Sequence, residues 1–205
     1  GSMTDPYIPL EKKIQSVRES LELINKYGHG FTCITKSNLI LRDLDLLKEI
    51  NEKAKVVIQM TLTTYDEDLC KTLEPNVCTT KKRFEMLMAM KEEGIPTVVW
   101  MSPILPFIND TKENLDGLLD YCIKADVKGI ICFGMGMTLR NGNREYFYQK
   151  LDEHFPGLKR KYQETYGYAY EVGSPNGRAL FRRFQDTCRA NQILCTPEDV
   201  FAYIN

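Results

Sequence analysis

Lys55–Leu62 reads KVVIQMTL. It is a short, β-branched apolar run bounded by polar residues, which is the pattern of a buried strand. Its neighbours on both sides have a different period. Upstream, Asp43–Lys53 places Leu44, Leu47 and Ile50 at helical spacing, and before it Phe31–Thr35 is another short apolar run, expected to be a strand buried on both faces. Before that, Leu10, Ile14, Val17, Leu21 and Ile24 form the stripe of an amphipathic helix over Leu10–Tyr27, started by Pro9 and stopped by Gly28.

Downstream the alternation continues. Thr64 and Glu67 have the spacing of a capping box for a short helix that ends before Pro75. A helix over Thr80–Glu93 stops at Gly94, and Thr97–Ser102 (TVVWMS) is the third strand. Asp110 and Glu113 make a second capping box for the Leu115–Ile123 stripe, and Gly129–Gly134 (GIICFG) is the fourth strand. From Arg144 the pattern is mostly helical, with breaks at Pro156-Gly157 and Gly173–Pro175, a strand candidate at Ile193–Cys195 and a last helix over Pro197–Tyr203.

Four apolar strands alternating with helices predict an α/β protein with a parallel sheet and right-handed crossovers. Chemistry in such folds gathers at the carboxyl ends of the strands, which selects Thr35–Ser37, Thr61–Tyr65, Ser102–Asp110 and Gly134–Arg140. Four strands are too few to close a barrel of ordinary size.

Composition narrows the classes. At 205 residues the chain fits one domain, and 43% hydrophobic with 27% charged residues is globular rather than disordered. A net charge of -1 gives no bulk attraction to nucleic acid or an anionic membrane, and no apolar run is long enough to span a bilayer, so a cytoplasmic protein is expected. The seven cysteines, Cys33, Cys70, Cys78, Cys122, Cys132, Cys188 and Cys195, include no CxxC or CxxxC spacing, which argues against a disulfide framework or a sequence-local metal site. Most read as buried packing residues. Neither His29 nor His154 has a partner at catalytic or metal spacing, and the GMGMTL stretch is not a dinucleotide fingerprint.

The phrases GSMTDPYIPLE, ITKSNLILRDLDLL, VVIQMTLTTYDEDLCKTLEPN, GIPTVVWMSPILPFIND and GIICFGMGMTLR occur in this order. Together they resemble the radical S-adenosylmethionine (radical SAM) enzymes, in the branch similar to spore photoproduct lyase and DNA-repair-photolyase-like proteins. The resemblance covers residues 1–140 closely and 141–205 more loosely. It implies a truncated partial (β/α)6 TIM-like barrel whose four main strands are equivalent to the third to sixth, with residues 141–205 a helical C-terminal extension of the same domain. Gly1-Ser2-Met3, otherwise readable as a tag scar, then reads as native sequence at the end of a second strand.

The resemblance also implies a cofactor pair, SAM and a [4Fe-4S] cluster, used for reductive cleavage of SAM to a 5'-deoxyadenosyl radical. The cluster is held in that family by a CxxxCxxC loop, which these 205 residues lack. The cluster is therefore not expected in this chain, and the expectation is a fragment of a lyase-like radical SAM enzyme that is inactive alone. By the same resemblance, Ser2, Thr4 and Asp5 would meet the SAM amino group, Thr35, Lys36 and Ser37 its polar groups with Lys36 on the carboxylate, and Thr61 and Thr63 its ribose or sulfonium region. Pro103 belongs to the loop near the adenine, and Gly134 permits close backbone approach. Structural readings stand beside these: Thr4-Asp5-Pro6 as a turn, Lys36 as a solvated loop lysine, Thr64 and Asp110 as helix caps.

Two further readings stay open. One is a non-catalytic binding or assembly protein on a degenerate barrel; the other is an unrelated α/β barrel enzyme using Asp5, Lys36 and Asp66. An unpaired edge at Phe31–Thr35 would favour a homodimer. The basic residues Lys159–Lys161, Arg178, Arg182, Arg183 and Arg189 could face nucleic acid, but Glu164 and Asp186 interleave with them as on a solvated face.

Overall fold

The computed structural model describes residues 4–205. Two helices, α1 (Glu11–Ile14) and α2 (Ser16–Tyr27), stand where one was expected. The interruption has a local cause: Gln15 is left-handed (φ 54°), and Oε1 of buried Glu11 accepts the Val17 amide at 3.0 Å, capping α2. Then follow β1 (Phe31–Thr35), a 3-10 turn over Asn38–Asp43, α3 (Leu44–Lys53), β2 (Val56–Thr61), α4 (Glu67–Leu73), α5 (Thr80–Glu92), β3 (Thr97–Trp100), α6 (Lys112–Lys124) and β4 (Gly129–Ile131). The sheet order is β1-β2-β3-β4, parallel throughout, in the order the strands were read. Leu194 adds a single parallel bridge to Gly129, which is what becomes of the expected Ile193–Cys195 strand.

The C-terminal part is less purely helical than expected. Strand β5 (Gly136–Thr138) precedes α7 (Asn143–His154) and α8 (Leu158–Tyr166), and then pairs antiparallel with β6 (Glu171–Gly173). Helices α9 (Gly177–Ala190) and α10 (Pro197–Ile204) complete the chain. Three-residue strands carry too little alternation to be read from sequence. A Cβ on Gly136 would lie 2.4 Å from the Val172 carbonyl oxygen, so this glycine serves backbone approach within the protein.

The two faces of the sheet are covered differently. Val56, Ile58, Met60, Val99 and Ile130 point into the main core, with Met86, Leu87, Leu118 and Phe184 from the helices. The opposite face, Val57, Val98 and Ile131, is covered by Val200 of α10, with Tyr203 and Ile204 beside it. At its β1 end this face is open: Thr32 and Ile34 are exposed, so β1 is buried on one face only, where burial on both was expected from its sequence. A polar ladder crosses it, in which Trp100 Nε1 donates to Gln59 Oε1 (2.7 Å) and Gln59 Nε2 to Thr32 Oγ1 (2.8 Å). A second core of Leu139, Tyr148, Leu151, Tyr162 and Val172 joins the hairpin to α7 and α8.

Both expected capping boxes are displaced. Asp66, not Thr64, accepts from the Leu69 amide to start α4, and Thr111, not Asp110, accepts from Asn114 to start α6. Thr64 is buried and accepts instead from Asn109 Nδ2. For Thr64, a tertiary partner took the hydroxyl whose spacing suggested a cap.

Candidate functional site

The carboxyl ends of β1, β2 and β3 open onto a cavity of about 490 Å³ that includes Lys36, Thr63, Glu74, Pro103 and Asn109, faced from α7 by Tyr146, Lys150 and His154. A cleft of about 430 Å³ adjoins it across Lys36 and contains Asp5, Ser37 and Cys78. Another, of about 750 Å³, adjoins it across Pro103 and contains Phe133, Gly134 and Met137. Lys36 and Pro103 are thus shared walls of one continuous row of concavities.

Asp5 ties the N-terminal segment to the end of β1. Its Oδ1 accepts from Thr35 Oγ1 (2.7 Å) and the Tyr7 amide (2.8 Å), and its Oδ2 from the Lys36 amide (2.7 Å). Thr35 Oγ1 in turn accepts from the Ser37 amide, and Ser37 Oγ accepts from Leu39 to cap the 3-10 turn. Among the described residues these bonds use three of the roughly four acceptor positions of the Asp5 carboxylate.

Lys36 Nζ is paired with Glu74 Oε1. Arg83 Nη1 reaches the same carboxylate from behind, 2.9 Å from Oε2, and donates to the Thr61 carbonyl at 3.0 Å. Arg83 is 1% exposed, and its Nε and Nη2 have no partner among the described residues. Burial alone pushes the Glu74 carboxyl up, but Arg83 and Lys36 together outweigh it and hold the group below the usual carboxylate range. One half-buried acid between two cationic side chains leaves a net positive wall.

The loops after β2 and β3 are stitched by two asparagines. Asn109 Nδ2 donates to the Thr63 carbonyl (2.9 Å) and its Oδ1 accepts from Leu105 (2.6 Å). Asn114 Nδ2 donates to the same carbonyl (3.0 Å) and its Oδ1 accepts from Tyr65 (2.6 Å).

Of the residues singled out in the sequence, Ser2 lies outside the described residues. Asp5, Lys36, Ser37, Thr63, Pro103 and Gly134 line the row of concavities. Thr35 and Thr61 are buried beneath it as supports, and Thr4 is exposed beside it. Asp66 lines a different cleft, with Tyr65, Glu67 and Tyr121, so Asp5, Lys36 and Asp66 do not share one site. Glu74, Arg83, Asn109, Lys150 and His154 were not anticipated. Arg83 carried a signal, because it occupies the buried stripe of α5 with Leu87 and Met90 at i+4 and i+7. Glu74 and Lys150 carried none.

Among the described residues no three Cys, His, Asp or Glu side chains converge on a metal position. Burial pushes the Cys33 thiol up to about 12, with Asp5 adding to it, and pushes Cys132 up to about 11. Iron–sulfur ligation needs thiolates. A cluster needs several cysteines converging on one position, and among the described residues none do, so the cysteines present do not fit a [4Fe-4S] cluster.

No family model matches the chain. An uncharacterized protein of Mycobacterium tuberculosis strain H37Rv is 29% identical over 166 residues, covering 81% of this chain and 48% of its own length. An uncharacterized protein of Acidianus two-tailed virus is 33% identical over 156 residues, 75% of this chain and 50% of its own length. The chain spans about half the length of these curated relatives. Among solved structures, a radical SAM methyltransferase from Sphaerobacter thermophilus superposes with a TM-score of 0.52 at 14% identity, over 91% of this chain and 47% of that one. The chain has a radical SAM-like α/β fold.

Proposed function

We propose that this chain is the SAM-binding part of a radical SAM enzyme core, in the branch similar to spore photoproduct lyase. The observation that carries the reading is the fold likeness over 91% of the chain combined with a cavity at the strand ends containing Lys36, Thr63 and Pro103. On this reading β1–β4 are the third to sixth strands of a partial (β/α)6 barrel, with residues 1–140 its core and 141–205 an extension of the same domain. The cysteines of the cluster come from outside these 205 residues, so the chain alone binds SAM without cleaving it.

The residues divide the work by chemistry. Asp5, with Thr4 and Ser2 nearby in sequence, accepts hydrogen bonds from the SAM amino group through its remaining acceptor position. Lys36 meets the SAM carboxylate, and Ser37 stands beside it, held by Thr35. Thr63, on a base shaped by Thr61, faces the ribose side, while Pro103 and Gly134 bound the adenine end. SAM itself supplies the reactive sulfonium; the chain binds, orients and screens it.

The open edge of β1 supports a further element of the reading, a homodimer formed at or near Phe31–Thr35. A cytoplasmic location accords with the absence, among the described residues, of any helix long and apolar enough to cross a membrane. Nucleic-acid binding gains no support: Lys159, Arg160 and Arg183 are paired with Asp152, Glu164 and Asp116.

Equilibrium dialysis with labelled SAM tests the binding, and anaerobic iron–sulfide reconstitution of a longer chain containing a CxxxCxxC loop tests the chemistry. SAM binding by this chain, weakened at least tenfold in Lys36→Ala, with 5'-deoxyadenosine released only by the longer chain, is the expected result. No SAM affinity in either chain would sink the proposal.

A further inference from the structure

The SAM contacts proposed above use the strand-end wall of the 490 Å³ cavity and leave its α7 wall unassigned. Tyr146, Lys150 and His154 recur every four residues and so share one face of α7, and all three line the cavity. Phe155 and Ile108 line the same space. The cavity's one carboxylate, Glu74, is already met by Lys36 and Arg83. Lys150 and His154 have a weaker hold: both lie against Glu153, 2.6 Å from Lys150 Nζ and 3.4 Å from His154 Nε2, the side chains are partly exposed, and such solvent-screened pairs exchange readily for a ligand. The Lys150 ammonium also lies 5.9 Å from the Tyr146 ring centroid, so charge and aromatic surface are presented together.

We propose that this α7 face binds a small oxyanion carried on a planar apolar body, an aromatic phosphate or carboxylate, as the second ligand of the cavity. Lys150 and His154 meet the oxyanion, and Tyr146, Phe155 and Ile108 cover the body. A cavity of about 490 Å³ is within the usual size of small-ligand pockets, and this one offers both apolar walls and polar groups able to fix orientation. The inference deepens the proposed function by naming the substrate class of the same cavity, and it rests on that reading.

Calorimetric titration of the 205-residue chain with phenyl phosphate, benzoate and benzyl alcohol tests it. Saturable binding of at least one anion is expected, tenfold or more tighter than benzyl alcohol, and reduced at least tenfold in Lys150→Glu. Lys112→Ala, a remote exposed lysine on α6, serves as a control with unchanged binding, and circular dichroism checks that Lys150→Glu is folded. Binding of phenyl phosphate alone assigns a phosphate; binding of both anions assigns the oxyanion generally. Equal affinity for benzyl alcohol, no loss in Lys150→Glu, or no saturable anion binding overturns the inference. SAM is titrated separately. Retained SAM affinity without anion binding defeats this inference alone, while anion binding without SAM affinity defeats the proposed function alone.

Discussion

Arg83 is a full charge inside a core, and its position is held by one acid. Removing one member of a buried pair leaves the other charged and desolvated, a loss of about 3–5 kcal/mol in such pairs. Glu74→Gln should therefore lower stability by about 3 kcal/mol in urea denaturation, because it strands the buried Arg83, and the double variant Glu74→Gln/Arg83→Met should recover part of that loss. Recovery of nothing would mean the two side chains do not act as a pair. The same carboxylate gives a pH dependence. Its folded value lies below its unfolded value of about 4.3. Its stabilisation is thus complete above that pH and lost as pH falls through the folded value. Urea midpoints measured from pH 6 down to pH 3 should decline, and Glu74→Gln should remove part of the slope. Arg83 was legible as a buried position from its place in the α5 stripe; its partner was not, because Glu74 ends α4 and only the turn through Pro75 brings it there.

At the scale of elements, the site is shaped by side chains that join loops to one another. Asn109, while buried, links the loop after β3 to the one after β2 through two hydrogen bonds, to the Thr63 carbonyl and the Thr64 hydroxyl, and braces its own loop by accepting from the Leu105 amide. Asn109→Ala would leave the Leu105 amide and the Thr64 hydroxyl without this partner, at about 1–3 kcal/mol for an unsatisfied buried group. A Tm unchanged within a degree would show that the loops hold without it. The β5–β6 hairpin depends on close backbone approach. Gly136→Ala should cost about 1–3 kcal/mol through overpacking against Val172 and Gly173 and speed proteolysis between residues 136 and 175. Helices and long strands were legible because their periods persist over many residues. The hairpin was not, since its pairing joins strands distant in sequence, and the true caps lie one or two residues beyond the expected ones, each bonded to an amide three positions on.

For the whole molecule, the sheet has one face sealed by helices and the other covered only where α10 reaches. Ile34 is 42% exposed and Phe133 63%, on or beside that open face, and β1 has no strand on its outer side among the described residues. An exposed edge of this kind recruits another chain unless charge blocks it. Light scattering should give a mass of twice 23.7 kDa, and Ile34→Lys should return it to the single-chain value. A wild-type chain that stays monomeric at high concentration would remove the dimer from the proposed function.

Local chemistry was enough to determine the order of helices and strands, the parallel sheet and the loops at its carboxyl ends, because hydrophobic period and right-handed crossover are properties of contiguous chain. The sequence also carried the resemblance from which SAM binding at those loops is proposed. Tertiary structure alone decided that Asp5 is bonded to Thr35 and Lys36, that Glu74 lies between Lys36 and Arg83, and that α7 faces the strand ends with Lys150 and His154. Apart from Glu74 and Arg83, which are close in sequence, those groups lie between 30 and more than 100 positions apart, and a contact at that separation is set by how the layers pack, which no spacing along the chain encodes.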